Sequence, residues 1–363
     1  MTRPSKLPQI QILRALAALM VAVSHALFEA SGLAARTQMP FAPAAWLPWN
    51  AGVDMFFVIS GFIIVHAAGP LHGRAGARRS FIAHRIARVV PLYWIVTTAY
   101  LGAALAAPGL LGGGHLDPAL AVASYLFWPM ARPDGSVLPL YSLGWTLNYE
   151  MAFYALFALC LPLRRRLAVG AVAGGLVLLA ALHALAGRLP VPLAFWSDPI
   201  VLEFAFGAAL GLTRAEGIRL QGAVRLVLAA GGFVLLALAG EPAALPRWLA
   251  WGVPAAMLVA AAGLGRGGEP DSAPLRAAVL LGDASYALYL VHPFAVRGVR
   301  VLAEATGAAS LGPVAVVLAM LALACAAAVG VHRLVERPLT ARLRTLLERR
   351  LTRMAAAAQR PAR

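Results

Sequence analysis

Across 363 residues the chain has two cysteines, one lysine (Lys6) and 15 acidic side chains against 31 basic ones. Cys160 and Cys325 both fall in apolar stretches, which leaves neither a disulfide framework nor a thiolate metal cluster. The eight histidines show no zinc-type spacing, so no metal is expected. No internal repeat is visible, which argues against a transporter assembled from inverted halves. The basic start at Arg3 and Lys6 is followed by no convincing cleavage site, so the first apolar segment reads as a retained helix. Glycine-rich Gly263-Leu-Gly-Arg-Gly-Gly268 follows an apolar helix, where a nucleotide-binding fingerprint needs a strand.

What the chain has in abundance is apolar surface. Hydrophobic residues make up 61% of it, charged residues 13%, and the mean hydropathy is +0.77, more than a water-soluble core of this size requires. Stretches long enough, or nearly so, to cross about 30 Å of hydrocarbon fall near 10–28, 49–68, 88–107, 142–162, 168–186, 199–213, 223–239, 247–264, 277–296 and 312–332. The expected fold is an all-α integral membrane protein, a bundle of about ten transmembrane helices within residues 1–340, followed by a basic cytoplasmic tail at 341–363. Ala119 to Met130 is too short to cross and reads as an interfacial or re-entrant segment before the Arg132-Pro-Asp-Gly turn.

A net charge of +16 raises nucleic acid as a partner, but the cations follow the membrane. With the N-terminus in the cytoplasm, ten spans return the C-terminus there. Inner segments then carry Arg3 and Lys6, Arg74, Arg78, Arg79 and Arg85, Arg164 to Arg166, Arg214 and Arg219, Arg266 and Arg276, and nine arginines from Arg333 onward. Outer loops hold only Arg36, Arg132, Arg188, Arg247, Arg297 and Arg300. This positive-inside asymmetry points to a bacterial inner membrane and away from nucleic acid.

Polar groups at hydrocarbon depth are costly and need a reason. Arg14 and His25, eleven residues apart on the first span, lie about 16 Å apart along a helix axis. That geometry suits a long ligand with an anionic head and a reactive tip. Asp54 on the second span reaches roughly the level of His25 and could meet it. On the fourth span Glu150 lies about 12 Å below the outer end, accompanied by Asn148 and Tyr154, with Thr146 on the face of Glu150. The ninth span carries Asp283, Ser285, Tyr286 and Tyr289, and places His292 at the level of His25. At the inner end of the third span, Arg85 and Arg88 share one helix face, a spacing that can grip a phosphate or diphosphate and, with Arg14, make one anion site.

Arg14 with His25, the Gly52-Val-Asp-Met-Phe-Phe-Val-Ile-Ser-Gly-Phe62 segment, Arg85-x-x-Arg88, Trp145-Thr-Leu-Asn-Tyr-Glu150 and Ser285-Tyr-Ala-Leu-Tyr-Leu-Val-His-Pro293 occur in this order. Together they resemble the membrane-bound acyltransferase 3 family over about residues 8–340, nearest the branch that acetylates bacterial exopolysaccharide. The Trp145-Thr-Leu-Asn-Tyr-Glu150 run departs from the family's more usual Trp-Ser-Leu-x-x-Glu-Glu.

The resemblance implies transfer of an acyl group, usually acetyl from acetyl-CoA, to a sugar hydroxyl of an envelope or secreted glycan. His25 is then the general base. A carboxylate on its other ring nitrogen would fix the tautomer, with Glu150 the first choice and Asp54 the second. Asn148, Ser60, Tyr286 and Tyr289 are candidates for the oxyanion, with His292 beside them as a further substrate-binding candidate. Arg14, Arg85 and Arg88 would hold the CoA phosphates. Expected partners are membrane lipid, acyl-CoA, a glycan or lipid-linked oligosaccharide, and polysaccharide assembly proteins. Direct transfer is favoured over an acyl-enzyme on Ser60, Ser24 or His25. A succinyl or longer acyl donor, a proton-coupled transporter and a non-catalytic scaffold are the alternatives.

Overall fold

The computed structural model describes residues 7–106, 117–240, 245–268 and 272–358, all helical or irregular, with no strand among them. Arg3, Lys6 and residues 359–363 of the expected tail lie outside that set. Six helices are long and apolar enough to cross a membrane: Pro8–Thr37, Trp49–Leu71, Ala77–Ala106, Arg165–Leu185, Gly222–Ala239 and Pro313–Leu351. The chain is a multi-pass membrane protein. Shorter helices occupy three other expected spans, namely α5 (Trp145–Cys160), α8 (Leu202–Ala215) and the segment Trp248–Gly263, whose second part is α10 (Val253–Gly263).

The remaining expected span, 277–296, is not one straight helix. It is α11 (Ala273–Asp283) and α12 (Ser285–Thr306), bent by 79° at Ala284. Periodicity and apolar content run through the break unchanged, which is why the sequence reads as one element.

Two compact units divide the described chain, one formed by residues up to 67 with 199–332, the other by 68–198 with 333 onward. In the first, α1 (Pro8–Thr37) begins on a proline at N1 and stops where Gln38 turns left-handed at φ 57°. Small residues let helices close on it and on one another. Gly52, the first residue of α2 (Gly52–Ala68), presses on the Ala17 carbonyl, Met20 and Val21. Gly61 of α2 faces the Phe204 carbonyl of α8, and Gly207 of α8 faces the Val58 carbonyl of α2. Gly282 of α11 abuts the Gln11 backbone of α1. A side chain at any of these positions would force the pair apart. Helices α9 (Gly222–Ala239) and α13 (Pro313–Val331) complete this unit, α9 against α10 and α13 against α1 and α12.

The second unit is built on α3 (Ala77–Ala106), which packs against α5 and α14 (Arg337–Ala358), while α6 (Arg165–Leu185) packs on α5. Two shorter helices, α4 (Pro118–Tyr125) and α7 (Val191–Trp196), join it. The short patch expected as interfacial contains α4, capped by Asp117, whose side chain accepts from the Ala119 N–H at 2.8 Å. Arg132 then folds back on the carbonyls of Leu138 to Leu140. The boundary expected at 340/341 falls inside α14. That helix lies along α3, with His84 2.7 Å from Glu348.

Candidate active site

In the first unit α1 and α12 bring two imidazoles together. His292 is completely buried, and its Nε2 lies 3.1 Å from Nδ1 of His25, with ring centroids 4.9 Å apart. Its Nδ1 faces the Leu288 carbonyl at 2.9 Å, and His25 Nδ1 also lies 3.0 Å from the Val21 carbonyl. A carbonyl only accepts, so His292 Nδ1 carries the hydrogen and, in a neutral ring, its Nε2 is a lone pair. His25 Nδ1 must then donate. The hydrogens run from His25 through His292 to the backbone, and His25 Nε2 is left as the basic nitrogen.

His25 Nδ1 thus meets His292, and Asp54, the second of its two expected carboxylates, is engaged elsewhere. Asp54, also completely buried, accepts two hydrogen bonds from Arg247, at 2.9 Å from Nε and 2.8 Å from the terminal nitrogen. The Arg247 guanidinium lies 4.7 Å from the Trp251 ring centroid. A bidentate pair uses both carboxylate oxygens, which accounts for a buried Asp at the start of α2. Tyr289 is buried edge-on to Phe56 with 6.0 Å between centroids, and 6.4 Å from the His292 ring. Ser60 on α2 and Tyr286 in the first turn of α12 are half-buried in the same unit. Arg14, half-buried, donates to the Gln11 amide oxygen at 3.0 Å.

Beyond His25 the α1–α12 seam becomes ionic. Arg300 pairs with Glu29 at 2.8 Å and with Glu304 at 2.8 Å, and Arg36 reaches Glu304 at 2.8 Å. Ser24 Oγ donates to the Asn50 amide oxygen at 2.8 Å, beside His25. Sequence reading took Arg247 and Arg300 only as outer-loop charges and passed over Glu29 and Asn50. Helical spacing held a signal for the seam, since His25 and Glu29 are four apart, as are Arg300 and Glu304. Nothing local links Arg247 to a residue 193 positions away.

Glu150 and Asn148 lie in the second unit. Tyr154, one turn along α5, donates to Glu150, and the Arg85 guanidinium lies 5.8 Å from the Tyr154 ring centroid and 5.5 Å from that of Phe81. Glu150 and Arg85 are close enough to interact electrostatically. Arg88 approaches the buried Glu336 at 3.9 Å. Arg85 and Arg88, expected to grip a phosphate, each have a carboxylate nearby, and Arg85 Nε is buried without a hydrogen-bond partner among the described residues. Asn148 is buried, and its side-chain oxygen has no hydrogen-bond partner among the described residues. Its backbone carbonyl accepts from the Trp196 indole at 3.3 Å.

Among the described residues no group of three or more His, Cys, Asp or Glu side chains could hold a metal ion. An acyltransferase domain family matches residues 7–333. The chain is 35% identical over 300 residues to the exopolysaccharide production protein ExoZ of Rhizobium meliloti (strain 1021), covering 80% of this chain and 90% of that protein. It is 30% identical over 335 residues to the acyltransferase MdmB of Streptomyces mycarofaciens, covering 80% of each. No solved structure matches.

Proposed function

The chain belongs to the acyltransferase 3 family, and from that premise we propose that it moves an acyl group from acyl-CoA to a sugar hydroxyl of an exopolysaccharide or related envelope glycan. The observation that carries this reading is the His25–His292 pair, which leaves one imidazole nitrogen basic on the residue next to the Ser24–Asn50 hydrogen bond. His25 Nε2 accepts the proton of the attacking hydroxyl as the new C–O bond forms at the thioester carbon. The C–S bond breaks, and the departing thiolate takes that proton back from the imidazolium. The cycle yields an ester and a thiol with no net change in protons.

His292 acts through His25, holding its tautomer and accepting from Nδ1–H throughout. Tyr289 and Ser60 remain oxyanion candidates in the same unit. Arg14, in the unit that holds His25, is the cation proposed for the CoA phosphates. Acetyl is the proposed acyl group and succinyl the alternative. The proposed setting is the bacterial inner membrane, with ten crossings, both termini cytoplasmic, the donor inside and the acceptor outside. The bent α11–α12 pair counts as one crossing in that scheme.

The test is reconstitution in lipid nanodiscs with radiolabelled acetyl-CoA and deacylated polysaccharide. Label should pass to the glycan with wild-type protein and not with His25→Ala. Equal transfer by both would remove His25 from the chemistry. Label from succinyl-CoA alone would replace the donor.

A further inference from the structure

Above the level of Val21 one face of α1 loses its cover. The start of α2 presses on α1 between Ala17 and Val21 through Gly52, and the contact ends at the Ser24–Asn50 hydrogen bond. One turn further along the same face Phe28 stands 76% exposed, followed by half-buried Ser31 and exposed Ala35. An apolar side chain that open on a membrane helix ordinarily faces lipid. Four neighbours argue against that. Its helix face carries Ser24 bonded to exposed Asn50, and its flank carries Glu29 and Arg36, both in ion pairs, groups that belong in or near water.

We infer that Phe28, Ser24 and Asn50 form the subsite that seats one pyranose ring of the acceptor, with its apolar face on Phe28 and its hydroxyls toward the Asn50 amide and His25. This inference rests on the acyl-transfer reading above. A pyranose has a face of C–H groups and a rim of hydroxyls, and a bare aromatic ring beside an amide is complementary to both. The helix rises about 6 Å between Ser24 and Phe28, close to the span of one ring. With Ser24 on the Asn50 oxygen, the amide N–H groups are the donors Asn50 offers a sugar hydroxyl. His25 follows Ser24 in the chain.

The experiment is saturation-transfer NMR and calorimetry on detergent-purified protein without acyl donor, using oligosaccharides cut from the deacylated surface polysaccharide of the source bacterium. Phe28→Ala and Phe28→Leu should each weaken binding about tenfold or more, Phe28→Trp should stay within about threefold of wild type, and Asn50→Leu should lose about threefold to tenfold. If Phe28→Leu and Phe28→Ala bind like the wild type, Phe28 is a lipid-facing residue and the inference falls while acyl transfer stands. If the wild type binds none of the oligosaccharides, yet passes label to another acceptor, the glycan assignment falls with it.

Discussion

Among the described residues, one cluster of titratable groups in each unit invites comparison, and the two differ in how their hydrogen bonds end. In the second unit the Arg85–Tyr154–Glu150 group brings a cation, a hydroxyl and a carboxylate together, each near an opposite or complementary partner. In the first unit the chain from His25 through His292 to the Leu288 carbonyl satisfies every nitrogen but one. The second-unit cluster keeps the Tyr154–Glu150 hydrogen bond among its own members and leaves Arg85 Nε without a partner, whereas the first-unit chain ends in a lone pair on His25. The Asp54–Arg247 pair likewise bonds between its own members even though it lies in the same unit as His25.

The largest effect should come from deleting the open nitrogen. His25→Ala should cut transfer by about 10²- to 10⁴-fold, the usual range for a general base, with normal membrane insertion checked by detergent-extracted yield. Next is the group that orients it. His292→Phe removes the acceptor for His25 Nδ1–H and should cost about tenfold to a hundredfold in kcat, the scale for a partner that orients an imidazole. His292→Gln keeps an acceptor oxygen and should recover most of the loss. A Gln variant as poor as Phe would mean that His292 only fills space.

The second-unit cluster should respond in stability more than in rate. Glu150→Gln keeps the shape but weakens the hold on Arg85, and should lower thermal stability by about 1.5–3 kcal/mol, the value of a hydrogen bond to a charged group. A fully stable Glu150→Gln protein without transfer activity would return Glu150 to the chemistry, as its sequence context suggested. Tyr154→Phe, which removes the donor to the same carboxylate, should also cost about 1.5–3 kcal/mol. Smallest is the exposed Arg36–Glu304 pair, where Arg36→Ala should change stability by about 0–1 kcal/mol and lose even that in high salt.

Helix content, the apolar stretches and the level at which His25 and His292 meet were legible in the sequence, because hydrophobic runs and a 1.5 Å rise fix depth along a span. Partners across the bundle were not. Asp54 reads as a neighbour of His25 by depth, but depth says nothing of azimuth, and Arg247 occupies the side that Asp54 faces. Arg85 and Arg88 share a helix face as their spacing requires, yet Glu150 and Glu336, brought in by other helices, meet that face from elsewhere in the chain. The bend at Ala284 was hidden because α11 and α12 are each apolar enough to join into one span.

The distinction between the two clusters comes down to which nitrogen of His25 carries its hydrogen. Solid-state NMR of the protein in lipid, with ¹⁵N-labelled histidine and His25 assigned by comparison with His25→Ala, measures this directly at a pH where the ring is neutral. The account predicts a protonated Nδ1 and an unprotonated Nε2. A neutral His25 protonated at Nε2 would place its lone pair against His292 and the Val21 carbonyl, leaving no basic nitrogen for an attacking hydroxyl.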